Sequence, residues 1–138
     1  MSTHKTGTTA PKFVEYGVEK MRRYYLVNLN ITGTEGNYSW DEVQTPVGSL
    51  DYSFLVSEII RIQYSEDKME ATINNYLKDM TEPEHKQAFD EMQEYRDWSK
   101  AQAVAAREFA AAEGIWDPES ERDPEDEPIP EPDENEGE

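Results

Sequence analysis

The sequence predicts an α+β fold in which an N-terminal β-hairpin packs on two shorter helices and one long C-terminal helix. Apolar side chains recur at every second residue early in the chain and at every third or fourth residue later. Charge then divides the chain, because residues 117–138 hold 12 acids and one base, whereas residues 1–116 hold 19 acids and 12 bases. We therefore expect a single folded domain over residues 13–116.

The two ends of the chain are expected to stay outside this domain. Residues 1–12 are polar and rich in Thr and Gly, which is typical of a flexible N-terminus. Residues 117–138 form a Pro/Glu/Asp-rich acidic tail with five of the eight prolines. Because such a segment buries little apolar area and its charges repel one another, we expect it to be disordered.

Extended segments come first along the domain. Residues 24–31 alternate between two faces, as a half-buried strand does, and the apolar face carries Tyr25, Val27, Leu29 and Ile31. Gly33 and Gly36 then allow a turn, and residues 38–44 resume an extended pattern, which completes the predicted hairpin. Residues 13–20 either add a third strand or form a short helical turn, and the pattern leaves both open.

Two shorter helices follow the turn at residues 45–49. The first has a cap at Ser49 or Asp51 and carries an apolar stripe with helical spacing, formed by Leu55, Ile59 and Ile62. The second begins at Ser65, whose hydroxyl can accept a backbone N–H at the helix start. Its apolar side carries Met69, Ile73, Tyr76, Leu77 and Met80.

The last predicted helix is long for a domain of this size. It begins at a capping box, Thr81-Glu82-Pro83-Glu84, and ends near Glu113, where Gly114 and Ile115 predict a left-handed cap. At ~1.5 Å per residue it would extend about 48 Å. Its second half is dominated by Ala, which offers little area to bury. We expect that half to project from the domain or to pack against a partner helix, such as a second copy.

Catalytic signatures are missing from the sequence. It contains no Walker loop, no Gly-x-Gly-x-x-Gly, no His-Glu-x-x-His and no Cys. Neither His4 nor His85 has a Ser or Asp at a spacing that would build a triad. The acid clusters at residues 66–70 and 90–94 are interpreted as solvated helix faces. We therefore expect no enzyme, no cofactor and no metal site.

Charge and hydropathy exclude further classes. A net charge of -18 disfavours direct binding to nucleic acid or anionic lipid, because Lys and Arg supply that attraction. No run of 18 apolar residues is present, and the N-terminus lacks the basic and apolar regions of a secretory signal. We expect neither a membrane segment nor secretion through a signal peptide.

Aromatic residues are the clearest functional signal. Tyr and Trp are enriched at protein interfaces, although an ordinary aromatic core would also explain their number here. The candidate residues for binding a partner are Tyr24, Trp40, Tyr95, Trp98, Ala105 and Trp116.

One stretch of the sequence resembles a known group of proteins. Residues 55–77 read Leu-Val-Ser-Glu-Ile-Ile-Arg-Ile-Gln-Tyr-Ser-Glu-Asp-Lys-Met-Glu-Ala-Thr-Ile-Asn-Asn-Tyr-Leu and follow a strand-turn-strand that ends in Trp40-Asp41-Glu42. This pattern resembles small uncharacterised proteins of phages and prophages of gut bacteria. The resemblance implies a phage or mobile-element context, located in the cytoplasm of the host cell or in the virion, and it implies no activity.

Two functions from different classes are therefore open. The first is a non-enzymatic protein-interaction or virion-assembly module that binds a protein partner or forms a homo-oligomer through the long helix. The alternative is an acidic nucleic-acid mimic that inhibits a host nuclease or DNA-binding enzyme, since counterion release can drive such binding. A mimic requires acids on rigid helix faces, whereas the densest acids lie in the tail.

Overall fold

The computed structural model describes residues 2–121 as an antiparallel four-stranded sheet followed by three helices. The strands are β1 (Ser2–Gly7), β2 (Val14–Glu19), β3 (Arg22–Thr34) and β4 (Asn37–Gln44). The helices are α1 (Tyr52–Gln63), α2 (Glu66–Lys78) and α3 (Pro83–Ala112), and a 3-10 turn follows at Pro118–Glu121. The predicted α+β class is confirmed. The remainder of the predicted tail, residues 122–138, lies outside the described residues.

The sheet contains one strand that the sequence does not predict. Its order is β1-β4-β3-β2, so β1 and β2 are the two edges. Residues 2–7, predicted to be flexible, pair with β4 from Ser2 opposite Val43 to Gly7 opposite Tyr38. Because β1 has no buried residue, it shows no alternation of apolar and polar side chains, and its pairing depends on the neighbouring strand.

One face of the sheet packs against the helices. Val14, Val27 and Val43 stand in a row across three strands, each at most 1% exposed. We call this the helix-facing face and the opposite one the outer face. The core between the sheet, α1 and α3 also includes Tyr25, Leu29, Leu50, Leu55, Ile59 and Trp116.

A bulge interrupts the predicted alternation in β3. The register shifts between Leu29 and Thr32, and Asn30 has a positive φ of 55°. Asn adopts this left-handed conformation more easily than most residues, and its side-chain amide donates to the Asp41 carboxylate at 2.9 Å. Ile31, predicted on the same face as Leu29, is consequently 39% exposed.

The long helix α3 is covered by two apolar clusters in succession. Its Ala-rich half places Ala103, Ala106 and Ala110 in the main core, all fully buried. Its first half packs Met92 against Ile60 and Tyr64, with α2 alongside. The expectation that the Ala-rich half projects is therefore wrong. Small side chains bury little area each, but they let the helix approach the domain closely.

The predicted N-terminal caps are confirmed for two helices. Asp51 accepts the Phe54 N–H at 2.8 Å, and Ser65 accepts the Lys68 N–H at 3.1 Å. The capping box predicted for α3 is wrong. Glu82 is the N-cap without a side-chain bond, because the Thr81 hydroxyl donates to Asp79 at 2.6 Å instead.

The predicted C-terminal cap of α3 is confirmed. Gly114 has a φ of 76°, its N–H donates to the Ala111 carbonyl, and the Ile115 N–H donates to the Ala110 carbonyl, both at 3.1 Å. These two bonds are those of a Schellman motif. The motif turns the chain back so that Ile115 packs against the core.

Candidate interaction surface

The predicted partner-binding residues lie in three separate places. Two are on the outer face of the sheet, two are in the middle of α3 near the apolar clusters, and the last two are in the Ala-rich half of α3 and just beyond its C-terminal end. In that order they are Tyr24 and Trp40, Tyr95 and Trp98, and Ala105 and Trp116. The structure therefore does not bring them together into one site.

The outer-face aromatics each cover a glycine of an edge strand. Tyr24 stands opposite Gly17, where an added Cβ would collide with the Tyr ring. A Cβ added at Gly7 would lie 3.0 Å from the Trp40 ring. Aromatic side chains stabilise edge glycines in this way, so both residues have a structural role. Trp40 is level with the bulge at Asn30, six residues and about 20 Å along β3 from Tyr24.

The two aromatic candidates on α3 pack against neighbouring side chains of the domain. The Tyr95 hydroxyl donates to the Ile59 carbonyl at 3.0 Å, and its ring centroid lies 5.3 Å from that of Trp98 and 5.5 Å from that of Tyr64. Burial raises the pKa of Tyr95 to about 12. A phenol held in this way positions α3 against α1 and is not free to bind a partner.

Trp116 and Ala105 also belong to the packed part of the molecule. Trp116 is 7% exposed, and the Arg107 guanidinium lies 4.7 Å from its ring centroid. Arg107 Nε donates to the Leu50 carbonyl at 3.0 Å. Ala105 is half-buried. Burial and the cation–π contact with Arg107 therefore hold Trp116, and with it the chain that leaves α3, against the domain.

The most exposed apolar surface is on the hairpin of β2 and β3, which sequence reasoning missed. Tyr16 is 42% exposed, Val18 62% and Met21 96%. The turn places Lys20 and Met21 at φ values of 53° and 68°, as a type I′ turn requires. The alternation of Val14, Tyr16 and Val18 was a usable strand signal. The turn was hidden because it contains no Gly, Asn or Asp.

The backbone of β2 is open on one side. Among residues 2–121, β3 is the only strand that pairs with β2. The Asn28 N–H donates to the Phe13 carbonyl at 2.8 Å, and antiparallel hydrogen-bonded pairs recur at every second residue. The odd-numbered residues of β2 therefore bond to β3. The N–H and C=O groups of the even-numbered ones, Val14, Tyr16 and Val18, face the free edge.

A groove of about 370 Å³ runs along this edge. Its walls include Val14, Glu15, Tyr16, Leu26, Glu113 and Ile115. Arg23 holds the helix-side wall in place, since its guanidinium donates to the Ile115 carbonyl at 2.6 Å and lies 4.2 Å from the Tyr16 ring centroid. The groove thus combines apolar side chains with three charged ones, Lys12, Glu15 and Glu113, beside the free edge of β2.

The other close titratable groups form structural pairs. His4 Nδ1 lies 3.1 Å from Asp41 Oδ1 and ties β1 to β4. Arg61 is engaged by Glu58 and Glu66, each at 2.9 Å, beside a cavity of about 280 Å³ between the helices. In residues 2–121, no group of three His, Asp or Glu could hold a metal ion, and no helix has the length and apolar character to cross a membrane.

No protein-family model, curated protein or solved structure matches the chain. The resemblance to small phage and prophage proteins that residues 55–77 and Trp40-Asp41-Glu42 suggest therefore stays a prediction. Most apolar residues of that stretch pack in α1 and α2, such as Leu55 and Ile59 in the main core. The argument for an interaction surface thus comes from the geometry of the β2 edge.

Proposed function

We propose that the chain is a non-enzymatic protein-interaction or assembly module. In this proposal it is a structural or accessory protein of a phage or mobile element and acts in the host cytoplasm or in the virion. The observation that carries the proposal is the free edge of β2, where unpaired backbone groups, exposed Tyr16 and Val18 and the groove occur together.

An open edge of this kind favours recognition by strand addition. Main-chain hydrogen bonds would supply affinity, and alternate side chains in the groove would supply specificity. Natural proteins usually block edges with charges, prolines or bulges, so an edge that exposes Tyr and Val requires an explanation. Met21 extends this exposed apolar surface, because a side chain that is 96% exposed contributes nothing to the core.

The test is partner capture with matched variants. Met21→Asn suits the left-handed turn and removes the apolar tip, whereas Val104→Gln changes an exposed apolar residue on α3. We expect the wild-type chain and Val104→Gln to capture the same protein from a lysate of phage-carrying bacteria, and Met21→Asn to capture at least ~10-fold less. A wild-type chain that captures nothing, or equal capture by all three, would contradict the proposal.

One observation supports the alternative function, which is an acidic nucleic-acid mimic. Asp90, Glu94 and Asp97 are exposed at helical spacing on α3, which is the rigid placement that a nucleic-acid mimic needs. Lys86 lies 2.8 Å from Asp90 and neutralises part of that face. Salt-sensitive binding to a nuclease that is lost in an Asp90→Asn, Glu94→Gln, Asp97→Asn variant would establish the mimic. Retained binding in that variant would reject it.

A further inference from the structure

The geometry points to a second copy of this chain as the occupant of the β2 edge. We propose that two chains pair β2 with β2, antiparallel about a two-fold axis at Tyr16, and so form one continuous eight-stranded sheet. The inference rests on the proposed interaction role of this edge and names its partner.

The backbone fits this pairing. In an antiparallel pair, each hydrogen-bonded couple of residues exchanges two N–H to C=O bonds. With the axis at Tyr16, the two Tyr16 residues face each other and Val14 of each copy faces Val18 of the other. These residues are the ones whose backbone groups face the free edge. All the outward-facing groups of β2 would therefore find partners at once.

The side chains are self-complementary in the same register. Val14-Glu15-Tyr16-Gly17-Val18 has the same apolar pattern in both directions, as a two-fold interface requires. The three apolar side chains share the helix-facing face, so aromatic and β-branched residues meet across the axis. Pairing would cover Tyr16 and Val18, now 42% and 62% exposed.

The charges are compatible with this register. Glu15 of one copy faces Gly17 of the other, so the carboxylates do not face each other directly. The Glu15 carboxylate is also drawn toward its own chain by the Lys12 N–H at 3.3 Å and the Asn28 amide at 3.5 Å. Lys20 of the second copy would face Lys12 in this register, a like-charge pair that is offset in part by Glu113, which lines the groove together with Lys12.

The other candidate surfaces fit a second copy less well. The opposite edge, β1, is polar throughout and carries His4 and Lys5, which are the kind of residues that discourage edge pairing. On α3, Ala103 and Ala106 are already buried in their own core. Among the surfaces of residues 2–121, the β2 edge combines unpaired backbone with exposed apolar side chains.

Sedimentation equilibrium of the full chain tests the pairing. An interface of one strand is smaller than the standard ~800 Å² per partner, so we expect a dissociation constant above about 1 μM. Since each chain carries a net charge of -18, raising salt from about 0.1 M to about 1 M should tighten the dimer several-fold by screening repulsion. A wild-type chain that stays monomeric up to about 1 mM at both salt concentrations would overturn the proposal.

Variants of Val18 locate the contact. Val18→Pro removes an N–H that faces the free edge, where Pro is compatible with a strand, and should weaken the dimer at least ~10-fold. Val18→Thr keeps the β-branch and the N–H and should dimerise within ~3-fold of the wild type. Circular dichroism establishes that both variants are folded. A folded Val18→Pro chain that dimerises like the wild type would place the contact elsewhere and refute the pairing.

Cross-linking provides a test that does not depend on the proline variant. The chain has no Cys, so a single one can be introduced cleanly. Two Tyr16→Cys chains would bring their Cα atoms to ~5.5 Å, within disulfide range, whereas two Met21→Cys positions, each beyond the end of β2, would lie more than ~20 Å apart. We expect rapid oxidation to a dimer for Tyr16→Cys only, and equal rates would refute the register. Capture of a different protein is measured separately, so failure of the dimer leaves the interaction role to its own test.

Discussion

Replacing Ala106 by Leu tests whether the Ala-rich half of α3 belongs to the core. Ala106 is fully buried between the sheet and the helices, and Leu adds three carbon atoms where no free surface exists. Overpacking of this kind lowers the free energy of unfolding by about 1–3 kcal/mol. Ala101 lies on the same helix but is exposed, so Ala101→Leu should change the free energy of unfolding by no more than about 0.5 kcal/mol. Ala and Leu have similar helix propensity, and the pair therefore isolates packing.

The assay is urea unfolding followed by tryptophan fluorescence, with Trp116 in the core as a probe. For a slope of about 1.5 kcal/mol/M, the Ala106→Leu midpoint should fall by about 0.7–2 M relative to the wild type, with the slope unchanged. Ala101→Leu should unfold within about 0.3 M of the wild type. If both variants match the wild type, the Ala-rich half is not packed in the core and the assignment fails.

Three further predictions concern pH and chain turns. Because burial raises the pKa of Tyr95 to about 12, an absorbance titration should contain an ionisation step near that pH, and Tyr95→Phe should remove it. A raised pKa contributes stability below pH 10 that is lost as pH rises toward 12, so unfolding should depend less on pH in that window for Tyr95→Phe. Hydrogen bonds from Thr81 hold the pKa of Asp79 below its usual range, so Thr81→Val should raise the Asp79 pKa in an NMR titration. The small stability that the ionised Asp79 contributes should be lost as pH falls through its folded-state pKa. Gly114→Ala should unfold about 1 kcal/mol more easily, since φ is 76° there, whereas Gly114→Asn should lose less; equal losses would argue against left-handed strain.

Local signals were sufficient to place the helices. Apolar spacing marked α1 and α2, and Asp51 and Ser65 act as the caps that their short polar side chains predict. The cap at Gly114 was equally readable, because few other residues adopt a positive φ at a helix end. The capping box at Thr81 failed because Asp79, two residues earlier, competes for the same hydroxyl. Such competition between neighbouring acceptors is not visible in a spacing rule.

The candidate site was much less predictable. The aromatic residues singled out in the sequence are partly or fully occupied, Tyr24 by covering Gly17 and Tyr95 by its bond to Ile59. The exposed residues that define the β2 edge, Tyr16 and Val18, look in sequence like ordinary strand residues. Whether a Tyr is buried or free depends on which strand is at the edge, and strand order is a property of the whole sheet.

Local features of the sequence are enough to predict the α+β class, the three helices and the left-handed stop at Gly114, and they show that acidic residues are concentrated in residues 117–138. These features depend on residue spacing, local hydrogen bonds and charge, all of which act within a few neighbours along the chain. Tertiary structure decided that residues 2–7 form a strand, that the Ala-rich half of α3 is buried and that β2 is the open edge. Each depends on contacts between segments far apart in sequence, where a neighbouring surface, rather than local preference, determines which groups are paired and which remain exposed.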